Sequence, residues 1–490
     1  MEAEPIDLVA AVVSESGIAG RRLREIIARL TEDPPTTLDD LVRDFAVPRR
    51  TVEALLRAAG PHLRSSGGQV SLLPSIRLEY RERFAADALH RTPEVSGMAE
   101  LIAAAPAADQ ALDHVSATAE TARRRARWLA ETYDLAGARL VCIGDHDLTS
   151  LAVRKACPDA EITVVDVDER LLAYIDGQGA GIACYHADLR FGLPPVVAGS
   201  ADLVFTDPPY TPEGVQLFLG RGAQALRDRV NGRLVMAYGF SPLTPALGLK
   251  VQRAVLDLDL VIEAMLPAFN RYHGAQAVGS ASDLYVCRPT AHTWRVLDRR
   301  LDRLTGSGSS ANIYTHGGQS LEGVAARGPA RILGGGPLGA EEVTVDLSAD
   351  PGPWLARVLL ALNARSVTLL VPNNHPDLRD EAAQAALRGL VGAKYDLRLR
   401  RSTPEPRQAT VEATLHPPGS PPSVAEWLLT HAHGKVGNVL REALLRADPA
   451  LERAEAQARA TAAIGRPDHL DARLLDLPRH TIVHLLKAAN

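Results

Sequence analysis

The chain has 490 residues, of which 46% are hydrophobic and 23% charged, and its formal net charge at pH 7 is -5. This length exceeds what a single hydrophobic core accommodates, so we expect about two to four domains. The slightly acidic balance excludes the class of proteins that bind nucleic acid non-specifically through a broadly basic surface.

The cysteines and the N-terminus predict a cytoplasmic protein. The four cysteines lie far apart without a Cys-x-x-Cys pair, which is typical of buried thiols in a reducing compartment. The N-terminal MEAEPIDLVAAVV has acids where a signal peptide has basic residues. No apolar run approaches roughly twenty residues, the length that spans a membrane, so we expect no membrane association.

Residues 1–74 predict a winged-helix-like domain. Segments with helical spacing of apolar residues precede a Gly-Gly turn and a short strand, with Thr37 and Pro48 placed to begin helices. Residues 1–73 hold nine arginines and eleven acidic residues, so the basic surface of a DNA-binding domain is missing. We therefore expect this domain to contact protein, for example by forming a homodimer, rather than nucleic acid.

The next segments predict a helical connector over residues 75–135 and a Rossmann-type domain over residues 136–300. In the latter, short apolar strands such as ARLVCIG, AEITVVDV, ADLVFTD and GRLVMAY alternate with segments of helix length. This alternation predicts a mostly parallel, doubly wound α/β sheet. Its ligand is expected beyond the carboxyl ends of the strands.

The last part of the chain predicts a second unit. Residues 301–338 are rich in glycine and serine and predict a linker. Residues 339–420 repeat the alternation and predict a second α/β unit, and residues 421–490 predict a helical C-terminal segment. No glycine fingerprint follows the first strand of this unit, so we assign it to scaffolding or partner contact.

The turn after the first strand, in LVCIGDHDLTS, has one glycine, Gly144, and two acids, Asp145 and Asp147. An ordinary nucleotide-binding turn supplies several glycines, so that backbone N–H groups can approach a phosphate or a carboxylate. The two acids would instead repel an anion and attract an ammonium group. The alternative, that they cap the following helix, stays open.

Acids also follow the next strands. Asp166 and Asp168 lie roughly twenty residues past the first turn, where ribose hydroxyls are commonly held. Asp166 is the first choice, because a surface acid that begins a helix explains Asp168 equally well. Asp188, in YHADLR, stands where an acid often binds the adenine amino group in adenosyl-binding sheets.

The stretch VFTDPPYTPEG ends a strand with an acid, two prolines and a tyrosine. Pro208 and Pro209 fix φ and remove two backbone donors, which gives a stiff exit from the sheet. Asp207 can accept a proton from an attacking amine, and Tyr210 offers a ring face to a cation or a flat base. A plain structural turn is the alternative.

Taken together, IGDHDLTS, VVDVDERL, HADLR, DPPYTPEG and FLGRGAQAL resemble the branched-chain polyamine synthases (bis-aminopropyl spermidine synthases), over roughly residues 5–290. The resemblance implies a winged-helix-like domain followed by a Rossmann-type catalytic domain. It also implies transfer of aminopropyl groups from decarboxylated S-adenosylmethionine to a secondary amine of spermidine.

Two positions depart from the family's pattern. In the first turn the family has Gly-Asp-Asp-Asp, and here His146 replaces the middle acid. In the later turn the family commonly has Asp-Pro-Pro-Glu-Thr. Here Asp207, Pro208, Pro209 and Thr211 match this pattern, and Tyr210 replaces the glutamate. Both departures remove a negative charge, which argues against spermidine itself and leaves open a smaller or flatter amine, or an amine on a peptide or a modified metabolite. Tyr210 also restores the Asp-Pro-Pro-Tyr motif of amino-directed methyltransferases.

A later segment, AFNRYHG, resembles an asparagine-and-aromatic segment of the family, and Asn270, Tyr272 or His273 would close over the acceptor there. A surface loop explains the segment equally well.

We therefore predict an aminopropyltransferase that uses decarboxylated S-adenosylmethionine, needs no metal and acts on a small-molecule amine. The alternatives are an S-adenosylmethionine-dependent amino-directed methyltransferase, and a winged-helix transcription regulator that senses a polyamine or an adenosyl metabolite. The predicted site residues are, for catalysis, Asp207, Tyr210 and Asp145; for the donor, Gly144, Asp147, Asp166, Asp168 and Asp188; and for the acceptor, His146, Pro208, Pro209, Thr211, Asn270 and Tyr272.

Overall fold

The computed structural model describes residues 3–89, 91–305, 312–314, 329–334, 339–350, 352–417 and 422–488. Most of the predicted linker, residues 301–338, lies outside these ranges. None of the helices within them combines the length and the apolar character that crossing a membrane requires.

The N-terminal part contains four helices and a small antiparallel sheet of order β1-β3-β2. Thr37 begins the third helix as the sequence predicts, because its Oγ1 accepts a hydrogen bond from the backbone N–H of Asp40 at 3.1 Å. These are the parts of a winged helix, although that assignment stays a prediction. The elements are α1 (Pro5–Glu15), α2 (Arg21–Leu30), β1 (Thr36–Thr37), α3 (Leu38–Phe45), α4 (Arg49–Ala59), β2 (Leu63–Ser66) and β3 (Gln69–Leu72).

Four helices connect this part to the large sheet. The longest of them, α8, buries Ala122, Ala126 and Leu129 against the sheet, and Arg125 lies on the same buried face. The four helices are α5 (Arg77–Arg83), α6 (Ala86–Leu89), α7 (Met98–Ala104) and α8 (Ala119–Thr132).

The large sheet has seven strands in the order β6-β5-β4-β7-β8-β10-β9. Neighbours from β6 to β8 are parallel, whereas β10 is antiparallel to both β8 and β9. The predicted mostly parallel α/β sheet is thereby confirmed. Its strands are β4 (Arg139–Ile143), β5 (Glu161–Asp166), β6 (Ala183–His186), β7 (Leu203–Thr206), β8 (Arg233–Tyr238), β9 (Leu260–Arg271) and β10 (Ala281–Pro289).

Helices cover both faces of this sheet. Alternate residues of β4 point to opposite faces, with Leu140 and Cys142 in one core and Val141 and Ile143 in the other. The helices that follow the strands are α9 (Thr149–Ala156), α10 (Glu169–Gly177), α11 (Pro212–Ala225), α12 (Pro245–Leu256) and α13 (Thr293–Thr305).

A second α/β unit follows, with a four-stranded sheet of order β11-β12-β14-β13. Its buried core is continuous with one face of the large sheet, so the two units pack directly against each other. Its elements are α14 (Pro329–Gly334), β11 (Glu342–Asp346), α15 (Trp354–Ala361), β12 (Ser366–Pro372), α16 (Glu381–Val391), β13 (Tyr395–Arg401), β14 (Gln408–Leu415), α17 (Val424–Thr430), α18 (Val436–Ala447), α19 (Arg453–Ile464) and α20 (Arg479–Ala488).

Candidate active site

A cavity of about 750 Å³ lies beyond the carboxyl ends of β4, β5 and β7. We call it the strand-end cavity. The chain adds strands on one side of β4 up to β6 and then continues with β7 on the other side of β4. Doubly wound sheets bind their ligands at this switch point between β4 and β7.

The cavity brings most of the predicted site residues together, and their roles stay predictions. The residues that line it are Gly144, Asp145, His146, Asp147, Asp166, Asp207, Pro208, Pro209, Tyr210 and Tyr272. The predicted residues that are not part of its described lining are Asp168, Asp188, Thr211 and Asn270.

Gly144 and Asp145 form the turn that leaves β4. Gly144 has φ of +69°, which favours glycine, and a Cβ there would lie 3.4 Å from the Phe218 ring. Asp145 caps α9, because it accepts hydrogen bonds from the backbone N–H of Ser150 at 3.2 Å and from the Ser150 hydroxyl. Capping, the alternative left open above, is thus one of its contacts. Burial raises the pKa of Asp145 to about 8, so its proton has to leave when an ammonium group binds beside it.

Arg125 of α8 joins the acids of two strand ends in one buried network. Its Nη1 donates to Asp147 Oδ2 at 2.8 Å, and its Nη2 donates to Asp207 Oδ2 at 2.7 Å. The side chain is fully buried, and the guanidinium lies 5.0 Å from the centre of the Phe205 ring. Asp147 and Asp207 therefore share one cation at the floor of the strand-end cavity.

The sequence analysis missed Arg125, although a signal for it exists. In TARRRARWLAE, Arg125 falls three residues after Ala122 and four before Leu129, so it occupies the apolar face of an amphipathic helix. An arginine on such a face needs buried acidic partners, and these follow β4 and β7.

The network separates the pKa values of its two acids. Burial disfavours ionisation of Asp147, but Arg125 and the backbone N–H of Ala117, at 2.7 Å, hold the pKa of Asp147 below its usual range. At Asp207, burial prevails over Arg125, and the negative charge of Asp147 adds to it, so the pKa of Asp207 is raised. The pair thus combines an ionised carboxylate with a carboxyl that can exchange a proton near neutral pH.

Tyr272 and Asn270 hold this network from the β9 side. The Tyr272 hydroxyl donates to Asp207 Oδ2 at 2.7 Å. Asn270 Oδ1 accepts from Arg125 Nε at 2.8 Å, and its Nδ2 donates to the Ser282 hydroxyl at 2.9 Å. Asn270 is fully buried beneath Arg125, so it supports the site instead of reaching the cavity.

Tyr210 and Thr211 follow the two prolines. The Tyr210 ring lies 5.1 Å from the Tyr238 ring, and its hydroxyl donates to the Tyr272 hydroxyl at 3.3 Å. Burial raises the pKa of Tyr210, which keeps the phenol neutral. Thr211 caps α11 by accepting a hydrogen bond from the backbone N–H of Gly214 at 2.9 Å.

Of the two acids after β5, Asp166 faces the strand-end cavity. It accepts hydrogen bonds from the backbone N–H groups of Asp145 at 3.0 Å and Asp168 at 2.8 Å, and burial raises its pKa to about 6. Asp168 caps α10 and pairs with Arg170 at 2.6 Å. These contacts favour Asp166 over Asp168 for a ligand, in line with the predicted order.

Asp188 lies outside the cavity and has protein partners of its own. It pairs with Arg190 at 2.7 Å and accepts a hydrogen bond from Trp354 Nε1 of α15 at 2.9 Å. Burial opposes ionisation, but Arg190 holds the pKa of Asp188 below its usual range.

His146 stacks on a second imidazole, that of His114, with 4.4 Å between the ring centres. Both rings line the strand-end cavity, and burial lowers the pKa of each, so both are neutral at pH 7. The sequence analysis missed His114, which precedes α8 and carries no local motif.

Residues 95–305 match the model of the family described as the branched-chain polyamine synthase A C-terminal domain. Over these residues, the predicted family resemblance is confirmed. All the predicted site residues fall within the match, whereas residues 5–94 and the second α/β unit lie outside it.

Two curated relatives show how far the likeness extends. An uncharacterized protein of Methanocaldococcus jannaschii is 36% identical over 181 residues, which cover 36% of this chain and 45% of the relative. The N(4)-bis(aminopropyl)spermidine synthase of Thermococcus kodakarensis is 28% identical over 197 residues, which cover 37% of this chain and 55% of that enzyme. The chain thus spans about half the length of the curated relatives it matches.

A solved structure of the same family aligns more loosely. It is the branched-chain polyamine synthase from Thermus thermophilus in complex with N4-aminopropylspermidine and 5'-methylthioadenosine, with 22% identity and a TM-score of 0.35. The alignment covers 58% of this chain and 92% of that one.

Proposed function

We propose that this protein is an aminopropyltransferase that moves an aminopropyl group from decarboxylated S-adenosylmethionine to an amine nitrogen of a polyamine or a related amine. The charge of the strand-end cavity carries the proposal. The ionisable residues in its described lining, apart from histidines and tyrosines, are one cation, Arg125, and five acids, namely Asp113, Asp145, Asp147, Asp166 and Asp207. Burial holds Asp145 and Asp207 partly protonated, but an ammonium group that binds beside them favours their ionised forms, so this lining favours a ligand that carries ammonium groups.

The donor's tail distinguishes this reaction from methyl transfer. Decarboxylated S-adenosylmethionine ends in an ammonium group, whereas the ordinary donor ends in an amino acid whose carboxylate needs N–H donors. The turn after β4 has a single glycine and presents Asp145 and Asp147 to the cavity. This arrangement suits the ammonium tail, and the family match over residues 95–305 supports the same donor.

The chemistry is a displacement at carbon. The acceptor nitrogen attacks the aminopropyl carbon attached to the sulfonium; a C–N bond forms and the C–S bond breaks. The sulfur keeps the bonding electron pair and leaves as a neutral thioether, 5'-methylthioadenosine. The alkylated nitrogen carries a positive charge and has to lose one proton. Asp207 receives this proton, because its raised pKa makes it a stronger base than an ordinary aspartate.

Arg125 and Tyr272 are positioning residues for Asp207. Both donate to the same oxygen, Oδ2, at 2.7 Å. Asp207 also shares a side-chain hydrogen bond with Asp147, so these three contacts fix the orientation of its carboxyl group at the wall of the strand-end cavity. Holding a base in a fixed orientation can lower a barrier by several kcal/mol, because less freedom is lost in the transition state.

His146 and Tyr210 determine the kind of acceptor. Both are neutral side chains at positions where the family commonly has acids, so the pocket holds fewer counter-charges for a long polycation. Tyr210 instead offers a ring that packs on Tyr238, with its hydroxyl on Tyr272. We therefore favour an amine that is shorter or flatter than spermidine.

Tyr210 also favours a second candidate, an S-adenosylmethionine-dependent methyltransferase that acts on an exocyclic or other amine. The turn Asp207-Pro208-Pro209-Tyr210 has the motif of that class. The two candidates make opposite demands on the donor tail, so donor affinity separates them.

The N-terminal part is assigned a supporting function. In the N-terminal part, Arg49 at the start of α4 pairs with Asp39 at 2.9 Å and Glu53 at 3.0 Å, so its charge is already compensated. We propose that this winged-helix-like part contacts protein, in agreement with its acidic composition, and does not bind DNA as a transcription regulator would.

The experiment that tests the proposed function offers both donors and a panel of amines to the full-length protein. We expect tighter binding of decarboxylated S-adenosylmethionine in calorimetry. Mass spectrometry should show acceptor amines that gain an aminopropyl group, together with 5'-methylthioadenosine. Tighter binding of the carboxylated donor, with methylated amines as products, would establish the methyltransferase instead.

A further inference from the structure

Residues outside the family match reach the strand-end cavity. The match ends at residue 305, but Tyr314 lines the cavity and is only 7% exposed. The preceding residue, Ile313, accepts a hydrogen bond at its carbonyl oxygen from Thr211 Oγ1 at 2.8 Å. The short segment 312–314 is therefore fixed on the turn that follows β7.

Gly214 of α11 makes room for this segment. A Cβ at Gly214 would lie 2.6 Å from the carbonyl oxygen of Ile313, which is closer than two such atoms can approach. The same Cβ would lie 2.8 Å from Thr211 Oγ1 and 2.9 Å from the carbonyl oxygen of Pro209, so the turn after β7 and residues 312–314 together leave no room for a side chain. Thr211 and Gly214 both belong to the stretch DPPYTPEG, which is thus built to hold residues 312–314 as well as the acceptor turn.

Arg190 connects Tyr314 to the second α/β unit. Its guanidinium lies 5.5 Å from the centre of the Tyr314 ring and 4.8 Å from that of Trp354, between the two rings. Arg190 also pairs with Asp188, and Trp354 Nε1 donates to the same carboxylate at 2.9 Å. A continuous chain of contacts therefore runs from the cavity wall to α15.

Tyr314 lines the strand-end cavity close to Asp188, because Arg190, which pairs with Asp188, lies 5.5 Å from the centre of the Tyr314 ring. Burial raises the pKa of Tyr314, and the negative charges of Asp188 and Asp166 add to the effect. Asp166 and Asp188 follow β5 and β6, whereas Asp207 follows β7 on the other side of β4.

We propose that Tyr314 forms the aromatic wall against which the adenine ring of the donor packs, and that Arg190 and Trp354 are positioning residues that hold this wall. The inference rests on the proposed function, since it concerns the nucleoside end of the same donor. A flat base packs favourably against the face of an aromatic ring. Direct binding of adenine by Asp188 is disfavoured, because Arg190 and Trp354 already occupy both of its oxygens. The second α/β unit is thereby a part of the donor site.

The test measures nucleoside and amine binding separately, by calorimetry on the full-length protein. Tyr314→Leu keeps apolar bulk but removes the flat ring, so we expect 5'-methylthioadenosine to bind about tenfold more weakly. Tyr314→Phe should stay within about twofold of wild type, because the ring is retained. Trp354→Phe loses the N–H that holds Asp188, and should raise the KM for the donor without changing kcat or the KM for the amine.

The control is Tyr174→Leu, because the Tyr174 hydroxyl bonds to the carbonyl of Leu101 at 2.7 Å, outside the strand-end cavity. This variant should bind the nucleoside like wild type. If Tyr314→Leu binds 5'-methylthioadenosine as well as wild type does, the inference is overturned while the proposed function stands. If wild type itself binds neither this nucleoside nor the decarboxylated donor, the proposed function fails instead.

Discussion

The two α/β units both bury charged side chains, but they satisfy them in different ways. In the second unit, Lys394 is 1% exposed, and its Nζ donates to the carbonyl oxygens of Leu359, Leu360 and Leu429 at 3.2, 2.7 and 3.0 Å. Burial lowers the pKa of Lys394 to about 7, and in its ammonium form all three N–H donors are satisfied here. Lys394 joins the carboxyl ends of α15 and α17 and is not part of the described lining of the strand-end cavity.

In the first unit, the equally buried Arg125 is bound to side chains instead of helix ends. Two of its partners, Asp147 and Asp207, line the strand-end cavity, and they share the single guanidinium. Two carboxylates with one cation leave a net negative charge next to a space that admits a ligand. A buried cation whose partners are all backbone carbonyl groups stabilises the fold, whereas a buried cation shared by cavity-lining acids indicates a ligand-binding site.

Removing each cation should give the largest contrast. Arg125→Met leaves Asp147 and Asp207 buried without a cationic partner, so we expect a loss of about 3–5 kcal/mol in the free energy of unfolding. Turnover per folded molecule should fall by about 10²-fold or more, because the base loses its orientation. Lys394→Met should cost about 1–3 kcal/mol through its unpaired carbonyl groups, with unchanged turnover per folded molecule.

Chemical denaturation and steady-state kinetics on both variants measure these effects. Arg125→Lys serves as a second variant, which keeps the charge and should recover part of the stability. Its turnover should stay low, because a single ammonium group lacks the planar guanidinium that binds Asp147 and Asp207 at the same time. Equal turnover losses in Arg125→Met and Lys394→Met would contradict the distinction between the two units.

Most of the fold could be predicted from the sequence, because local patterns determine it. Short apolar runs that alternate with segments of helix length predicted the strands of the large sheet, and Thr37 and Pro48 marked helix starts that the structure contains. The antiparallel insertion of β10 between β8 and β9 could not be predicted, since strand order depends on contacts between distant segments.

The candidate site was predictable only where the chain itself brings residues to strand ends. Asp145, Asp147, Asp166 and Asp207 directly follow parallel strands, and such ends meet at one edge of a sheet. Arg125 and Tyr314 come from segments before and after the sheet. Their contacts with the cavity depend on tertiary packing, for which local spacing gives only the weak signal of an arginine on an apolar helix face.

Asp207→Asn keeps the shape of the side chain but removes its charge. Asp207→Asn retains an oxygen for Arg125 and Tyr272 but cannot take the acceptor's proton, so kcat should fall by about 10²-fold while the melting temperature changes little. The matched control in the second unit is Asp377→Asn, which alters the buried pair of Asp377 with Arg479, 2.6 Å apart. Its kcat should equal that of wild type. Wild-type kcat in Asp207→Asn would remove Asp207 from the mechanism.

The smallest effect concerns pH. Activity requires ionised Asp207, whose pKa is raised by burial and by the charge of Asp147, so the rate should fall as pH drops through this raised value. Asp147→Asn keeps an oxygen for Arg125 but removes the neighbouring negative charge, which lowers the pKa of Asp207. The acidic limb of the pH profile of kcat/KM should then move to lower pH by about one unit, whereas Asp377→Asn leaves it in place.

An acidic limb that is unchanged in Asp147→Asn, or that moves to higher pH, would mean that Asp147 and Asp207 do not share the charge of Arg125 in the way their contacts indicate. The pH profile of each variant, recorded at saturating donor, measures this directly, because weaker donor binding by Asp147→Asn then no longer affects the limb.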